Sequence, residues 1–119
     1  MRCEKKDLLN WIDKLKKIEA IILVEGKKDI HSLNFLGIEN ILAVKGKPLY
    51  QIVEEVSAKY KTSIILVDLD KEGKKLYSYL NKNLSEHGVK VDNQFRIFLF
   101  KYTEVRQIEC LAKYIENLE

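Results

Sequence analysis

Acidic residues stand directly after two largely apolar segments of this chain. Glu25 follows the apolar residues 20–24, and Asp68 and Asp70 follow residues 63–67. Side chains two positions apart on an extended backbone point to the same side, so Asp68 and Asp70 could both reach one cation. Carboxylate oxygens are the ligands that hard divalent cations such as Mg2+ prefer. The spacing therefore indicates a site for Mg2+, with Mn2+ as the other ion that suits such ligands.

Lysines lie close to these acids in the sequence. Ammonium groups and a bound divalent cation both offset the negative charge of a phosphodiester, which makes nucleic acid, RNA or DNA, the expected partner. Each lysine taken singly is explained as well by a solvated surface, so the prediction rests on their shared placement. The candidate substrate-binding lysines are Lys27, Lys28, Lys45, Lys71 and Lys74.

Helical and strand-like patterns alternate along the chain and predict one α/β domain over residues 1–119. Short β-branched runs are typical of strands that are buried on both faces of a parallel sheet. Segments with apolar residues at three- and four-residue steps indicate the crossover helices between them. The predicted strands are 20–24, 40–44, 63–67 and 93–100, and the predicted helices are 7–18, 28–36, 49–60, 76–86 and 105–118.

This order predicts a four-stranded, mostly parallel sheet with helices on both faces and further helices at the N and C termini. In such folds ligands bind beyond the carboxyl ends of the strands, where the strand order reverses. If the strands before Glu25 and Asp68 are neighbours, their carboxylates meet at this edge, and a divalent cation would relieve their repulsion. Singly, Asp70 or Glu72 is also explained as an acid that caps or favours the following helix.

Composition limits the partners and the cellular location that we expect for this protein. The 119 residues carry 21 basic and 18 acidic side chains, a net charge of +3. That mild excess permits a nucleic-acid partner without requiring one. The two cysteines, Cys3 and Cys110, lack zinc-site spacing, and the longest apolar run is too short for a membrane span or a signal peptide. We therefore expect a cytoplasmic protein with no membrane partner and no disulfide framework.

Two short motifs contain the acids: VEGKKD at residues 24–29 and VDLDKEG at residues 67–73. As a pair they resemble the motifs of the Toprim domain, which is shared by topoisomerases, bacterial primases, recombination and repair proteins and the nucleases that mature 5S ribosomal RNA. The resemblance covers a core of about residues 20–101. It implies a four-stranded parallel sheet between helices. It also implies that Glu25 is a general acid or base and that Asp68 and Asp70 bind Mg2+.

The resemblance extends to residues around these three acids. Glu72 matches an acid that some relatives carry, so it could join Glu25, Asp68 and Asp70 at the metal site. Asp29 matches a recurring acid of the first motif, although an acid in a first helical turn needs no such explanation. The matching glycines, which would be positions where bulk is not tolerated, are Gly26, Gly46 and Gly73, and Gly46 joins the candidate substrate-binding residues beside Lys45.

The length of the chain limits the activities that the resemblance implies. We expect neither a complete topoisomerase nor a complete primase, because both need further domains that 119 residues cannot hold. The expected function is that of a small Mg2+-dependent Toprim nuclease acting on RNA, as in ribosomal RNA maturation, or on DNA. No separate RNA-recognition module is evident, so a protein or ribonucleoprotein partner is a further expectation.

The sequence is compatible with two alternatives. One is a non-catalytic Toprim module that binds metal or nucleic acid and acts with a partner. The weaker one is a receiver-like phosphoacceptor domain, which has a similar length and a similar acidic sheet edge. A receiver needs a lysine after its last strand, and Lys101 would follow the predicted fourth strand.

Overall fold

The computed structural model describes residues 3–118, which build a four-stranded parallel sheet between two layers of helices. The strands are β1 (Ile21–Val24), β2 (Ile41–Ala43), β3 (Thr62–Ile65) and β4 (Lys90–Val91). Their order across the sheet is β2-β1-β3-β4, so the order reverses between β1 and β3. These two strands are nearly fully buried because helices cover both faces of the sheet.

The helices alternate with the strands, as crossover connections between parallel strands require. They are α1 (Lys5–Lys17), α2 (Lys27–Phe35), α3 (Leu49–Lys59), α4 (Lys71–Glu86), α5 (Gln94–Tyr102) and α6 (Leu111–Glu116), with a 3-10 turn at Ile108–Cys110 before α6. Within residues 3–118, no helix combines the length and the apolar character that a membrane span needs.

Alternation along β1 divides the core into two parts. Ile22 and Val24 face the layer that contains α1, α2, α5 and α6, whereas Ile21 and Leu23 face α3 and α4. Each fully buried side chain of this kind contributes roughly 1.5–3 kcal/mol relative to exposure. The predicted fold class, a parallel four-stranded α/β sheet with helices on both faces, is therefore confirmed.

The predicted fourth strand at residues 93–100 is wrong, because this segment is helix α5. Phe95, Leu99 and Tyr102 recur at helical steps, and Leu99 is fully buried on the inner face. The actual strand, β4, is two residues long and pairs with the start of β3. Lys101 consequently lies on a helix and does not follow a strand, which removes the feature that kept the receiver-like alternative open.

Two helix boundaries also differ from prediction. Helix α4 begins at Lys71, five positions before the predicted start at 76, because the Asp70 side chain caps it by accepting from the Gly73 amide at 2.7 Å. The last helix, predicted over residues 105–118, is divided into the 3-10 turn and α6. Thr103 Oγ1 accepts from the Val105 amide at 3.1 Å, a local bond that competes with helix formation at this point.

Candidate functional site

Glu25 and Asp68 meet at the carboxyl edge of the sheet, where the strand order reverses between β1 and β3. Glu25 directly follows β1, and its Oε1 accepts a hydrogen bond from the Asp68 amide at 3.4 Å. Asp68 Oδ1 accepts from the Ile108 amide at 2.9 Å, which ties the end of β3 to the 3-10 turn. Among residues 3–118, the second oxygen of each carboxylate accepts no hydrogen bond and is open to a ligand.

Burial and like charges oppose ionisation of these two carboxyls. Burial raises the pKa of Glu25, and the negative charge of Asp68 raises it further. Burial also raises the pKa of Asp68, with further contributions from the charges of Asp29, Asp70 and Glu109, while the hydrogen bond from Ile108 acts in the opposite direction. The edge of the sheet therefore concentrates negative charge, and a divalent cation bound there would lower its free energy.

Asp29 is a third acid of this region and the most buried of them. It lies in the first turn of α2 and is only 7% exposed. Its Oδ2 accepts from the Gly26 amide at 3.1 Å, so it caps the helix. Burial raises the pKa of Asp29, and the charge of Glu109 adds to this effect. Asp29 thus serves the start of α2, as an acid in a first helical turn does, and its charge also adds to that of the site.

Asp70 lies at the start of α4, where its position depends on Gly73. A Cβ at Gly73 would stand 2.0 Å from the Asp68 carbonyl oxygen and 2.7 Å from its carbonyl carbon. Glycine therefore allows the first turn of α4 to pack directly on the chain that carries Asp68. The Asp70 carboxylate is exposed and uses one oxygen for the cap, which leaves its Oδ2 for other ligands.

A cleft of about 600 Å3 opens above Glu25, Asp29 and Asp68. Lys27, Lys28 and Lys45 line it, so three of the five candidate lysines lie beside the acids. The other candidate residues lie outside the lining of this cleft. Asp70 is exposed at the start of α4 and lines a neighbouring pocket instead. Lys71, Glu72 and Lys74 are exposed on the first turn of α4, and Gly46 is exposed in the loop after β2 with a φ of 94°.

The donors of this site suit Mg2+ or Mn2+ and argue against a softer metal. They are all carboxylate oxygens, and no histidine or cysteine lines the cleft. In the described part of the chain, no three His, Cys, Asp or Glu side chains are close enough to enclose a metal ion by themselves. Mg2+ commonly uses one or two carboxylates and completes its shell with water and phosphate oxygens, so the acids present fit such an ion.

Arg96 holds the main chain at Val67 and Asp68 in place. Arg96 is not among the site residues that we predicted from the sequence. Its Nε and Nη2 donate to the carbonyl oxygens of Val67 and Asp68 at 3.3 and 3.2 Å. The guanidinium lies 4.6 Å from the Tyr77 ring centre and 5.0 Å from that of Phe100. Burial lowers the pKa of Arg96. The sequence did contain a hint of this role, because arginine is rare in this lysine-rich chain. The planar guanidinium of arginine can donate to two carbonyl oxygens at once, which lysine does less well.

The structure is that of a parallel α/β domain with acidic side chains at the edge of the sheet where the strand order reverses. The Toprim domain matches residues 20–102, and the chain belongs to the Toprim family. This confirms the resemblance of the two motifs. The family is associated with metal-dependent functions in nucleic-acid metabolism, and Toprim domains generally bind Mg2+.

Relatives in archaea are similar over most of their length. The UPF0292 protein MJ1624 of Methanocaldococcus jannaschii is 38% identical over 117 residues, which cover 92% of this chain and 91% of that protein. The UPF0292 protein PH1700 of Pyrococcus horikoshii is 37% identical over 103 residues, covering 86% of this chain and 70% of that protein.

Two solved structures from Aquifex aeolicus are similar in fold. One protein superposes with a TM-score of 0.80 at 38% identity and covers 86% of this chain and 95% of that chain. The other is the primase with its zinc-binding and RNA polymerase domains, at a TM-score of 0.54 and 25% identity. The match covers 91% of this chain but 28% of the primase chain, so the likeness concerns one part of that protein.

Proposed function

We propose that this protein is a Mg2+-dependent enzyme that cleaves phosphodiester bonds in nucleic acid, with RNA preferred over DNA. The observation that carries the proposal is the meeting of Glu25 and Asp68 at the reversal of strand order, in a cleft lined by lysines. Membership of the Toprim family supports metal-dependent chemistry on nucleic acid. Carboxylates beside ammonium groups suit a phosphodiester because they combine a cation site with anion binding.

In this proposal Asp68 and Asp70 hold Mg2+ through the oxygens that the main chain leaves free. When bound, the ion supplies charge stabilisation for the scissile phosphate. Glu72, in the first turn of α4, is the proposed outer acid of the same site. Arg96 keeps the Asp68 carboxylate in position through its hydrogen bond to the Asp68 carbonyl.

Glu25 is the proposed general acid or base. Burial and the charge of Asp68 raise its pKa, which brings its protonation closer to neutral pH. A carboxyl in this condition can take a proton from an attacking water or return one to a leaving oxygen. The nearby lysines Lys27, Lys28 and Lys45 would bind phosphate oxygens, while Lys71, Lys74 and the Gly46 loop would contact the strand further away.

A cleavage panel tests the proposal. Structured RNA, single-stranded DNA and duplex DNA are incubated with the parent protein in Mg2+, Mn2+ or EDTA, and fragments are resolved on gels. The parent is expected to cut in the presence of either metal, and Glu25→Gln and Asp68→Asn are expected to lose this activity. Glu39→Gln, an exposed acid at the opposite end of the sheet, is the matched control. Equal cleavage by all variants would show that the acids are assigned wrongly.

A second candidate is a non-catalytic module that binds metal or nucleic acid and depends on a protein or ribonucleoprotein partner. It is favoured by one observation: the described residues do not bring three metal-binding side chains together. A partner or the substrate would then complete the site. Metal-sensitive binding of nucleic acid without cleavage of any substrate in the panel would favour this candidate.

A further inference from the structure

A second groove runs between α2 and the C-terminal elements and continues into the acid cleft. Its volume is about 670 Å3. Lys27, Lys28 and Glu109 line both the groove and the cleft, so the two form one continuous surface. The side of the groove away from the acids is formed by Phe35 at the end of α2 and Lys113 on α6.

The walls of this groove are fixed to each other. Ser32 of α2 is buried, and its Oγ accepts from the Ala112 amide of α6 at 3.1 Å. Leu33 and Leu111 are fully buried in the same core cluster beneath the groove. A ligand therefore meets a preformed surface and does not need to order it, which reduces the entropic cost of binding.

Phe35 is the most exposed large hydrophobic side chain in the described part of the chain, with 64% of its surface in contact with solvent. Proteins bind single-stranded nucleic acid through exposed aromatic rings next to positively charged side chains, because every base offers a face that can stack on such a ring. The bases of a duplex are stacked on one another and cannot reach such a ring.

Charge in the groove is nearly balanced. The charged residues Lys27, Lys28, Lys113, Glu109 and Glu116 line the groove, so positive side chains exceed negative ones by one among these five. Binding that depended on charge alone would be weak here. Contact through stacking fits the groove better and predicts a shallow dependence on salt, since few counterions are released.

We propose that the groove between α2 and α6 binds a single-stranded segment of the nucleic acid and leads it to the acid cleft, with one base stacked on Phe35. Lys28 and Lys113 contact the adjacent phosphates. This inference rests on the proposed function, because it names the form of nucleic acid that the cleft receives.

The test measures binding without cleavage. A fluorescent 12-nucleotide single-stranded RNA and the matching duplex are titrated by anisotropy in EDTA, with Asp68→Asn as the common background. Phe35→Ala is expected to weaken single-strand binding about tenfold, as loss of one base stack does, and to leave duplex binding unchanged. Phe35→Trp is expected to keep the affinity, and its added tryptophan emission is expected to be quenched by the single strand.

Matched controls lie on α4, in the opposite helix layer. Tyr79→Ala removes an aromatic ring that is 37% exposed, and Lys82→Gln removes an exposed lysine. Both are expected to bind the single strand as the background protein does, whereas Lys113→Gln is expected to bind it more weakly. Circular dichroism of Phe35→Ala should match the background protein because the ring is largely outside the core.

The possible failures are distinguishable. The inference is overturned if the single strand does not bind, if Phe35→Ala binds it unchanged, or if the duplex loses as much affinity as the single strand. If the cleavage panel fails while binding still depends on Phe35, the proposed function falls and the groove stands. If cleavage occurs and Phe35→Ala leaves its KM for single strands unchanged, the function stands and the groove falls.

Discussion

Replacement of Gly73 by alanine tests whether the first turn of α4 positions the acids. The added Cβ would stand 2.0 Å from the Asp68 carbonyl oxygen, roughly 1 Å inside the 3.0 Å below which Cβ contacts essentially do not occur. The opposing atoms belong to the main chain and cannot rotate away. The helix must therefore withdraw from the end of β3, and the cap from Asp70 to the residue 73 amide is lost with it.

The expected change in the free energy of unfolding combines two destabilising contributions and one stabilising contribution. Overpacking of this kind costs about 1–3 kcal/mol, and loss of a helix cap costs about 1 kcal/mol. Alanine is favoured over glycine within a helix by at most about 1 kcal/mol, which does not offset the sum. Gly73→Ala should therefore lower the free energy of unfolding by about 1–3 kcal/mol.

Urea unfolding followed by circular dichroism measures this loss, with Gly46→Ala as the control. A Cβ at Gly46 meets nothing within 4 Å, and only its φ of 94° opposes the change, at a cost of about 1 kcal/mol. Gly73→Ala should also reduce any metal-dependent activity by about 100-fold, because a shift near 1 Å displaces Asp68 and Asp70 together. An unfolding midpoint equal to that of the parent would refute the reasoning.

Three further perturbations follow from the site. Asp68→Asn should keep the fold and raise the melting temperature at pH 7. The partly buried charge disappears in this variant, while the side-chain amide oxygen can still accept the hydrogen bond from the Ile108 amide. A large fall in melting temperature would contradict this expectation. The raised pKa values of Glu25, Asp29 and Asp68 mean that the folded state binds more protons than the unfolded state above about pH 4. Stability without metal should therefore fall as pH rises from about 4 through these raised pKa values, and thermal melts that show a rise instead would exclude the assignment. Arg96→Lys should cost about 1–3 kcal/mol in urea unfolding because one ammonium cannot replace a fork that contacts two carbonyls, and an unchanged midpoint would show that the fork is dispensable.

The central strands and their flanking helices could be predicted from sequence because their patterns are simple. The runs that become β1 and β3 are short, apolar and β-branched, which is the pattern of strands buried on both faces. Strand β4 could not be found in this way, since Val91 is its one apolar residue. The aromatic residues of α5 have strand propensity, yet they form a helix that contacts α1, with Trp11 Nε1 donating to the Phe95 carbonyl at 3.0 Å.

The candidate site was predictable only as far as topology determines it. Parallel strands bring their carboxyl ends to one edge, so the nearness of Glu25 and Asp68 follows from the order of elements. The groups that fix Asp68 come from distant parts of the chain: the Ile108 amide is 40 positions away and Arg96 is 28 positions away. No local spacing encodes such contacts, because they arise when α5 and the 3-10 turn pack against the sheet.

Cation binding at the acidic edge is tested most simply by Mn2+ titration of the parent protein, of Asp68→Asn and of the control Glu39→Gln in an isothermal calorimeter. Binding of the ion can be measured without the natural substrate, so it reports on the acidic edge of the sheet alone. We expect a Mn2+ site in the parent and in Glu39→Gln, from which Mg2+ displaces Mn2+, and we expect this site to be lost in Asp68→Asn. Equal Mn2+ binding by all three proteins, or binding by none, would contradict it.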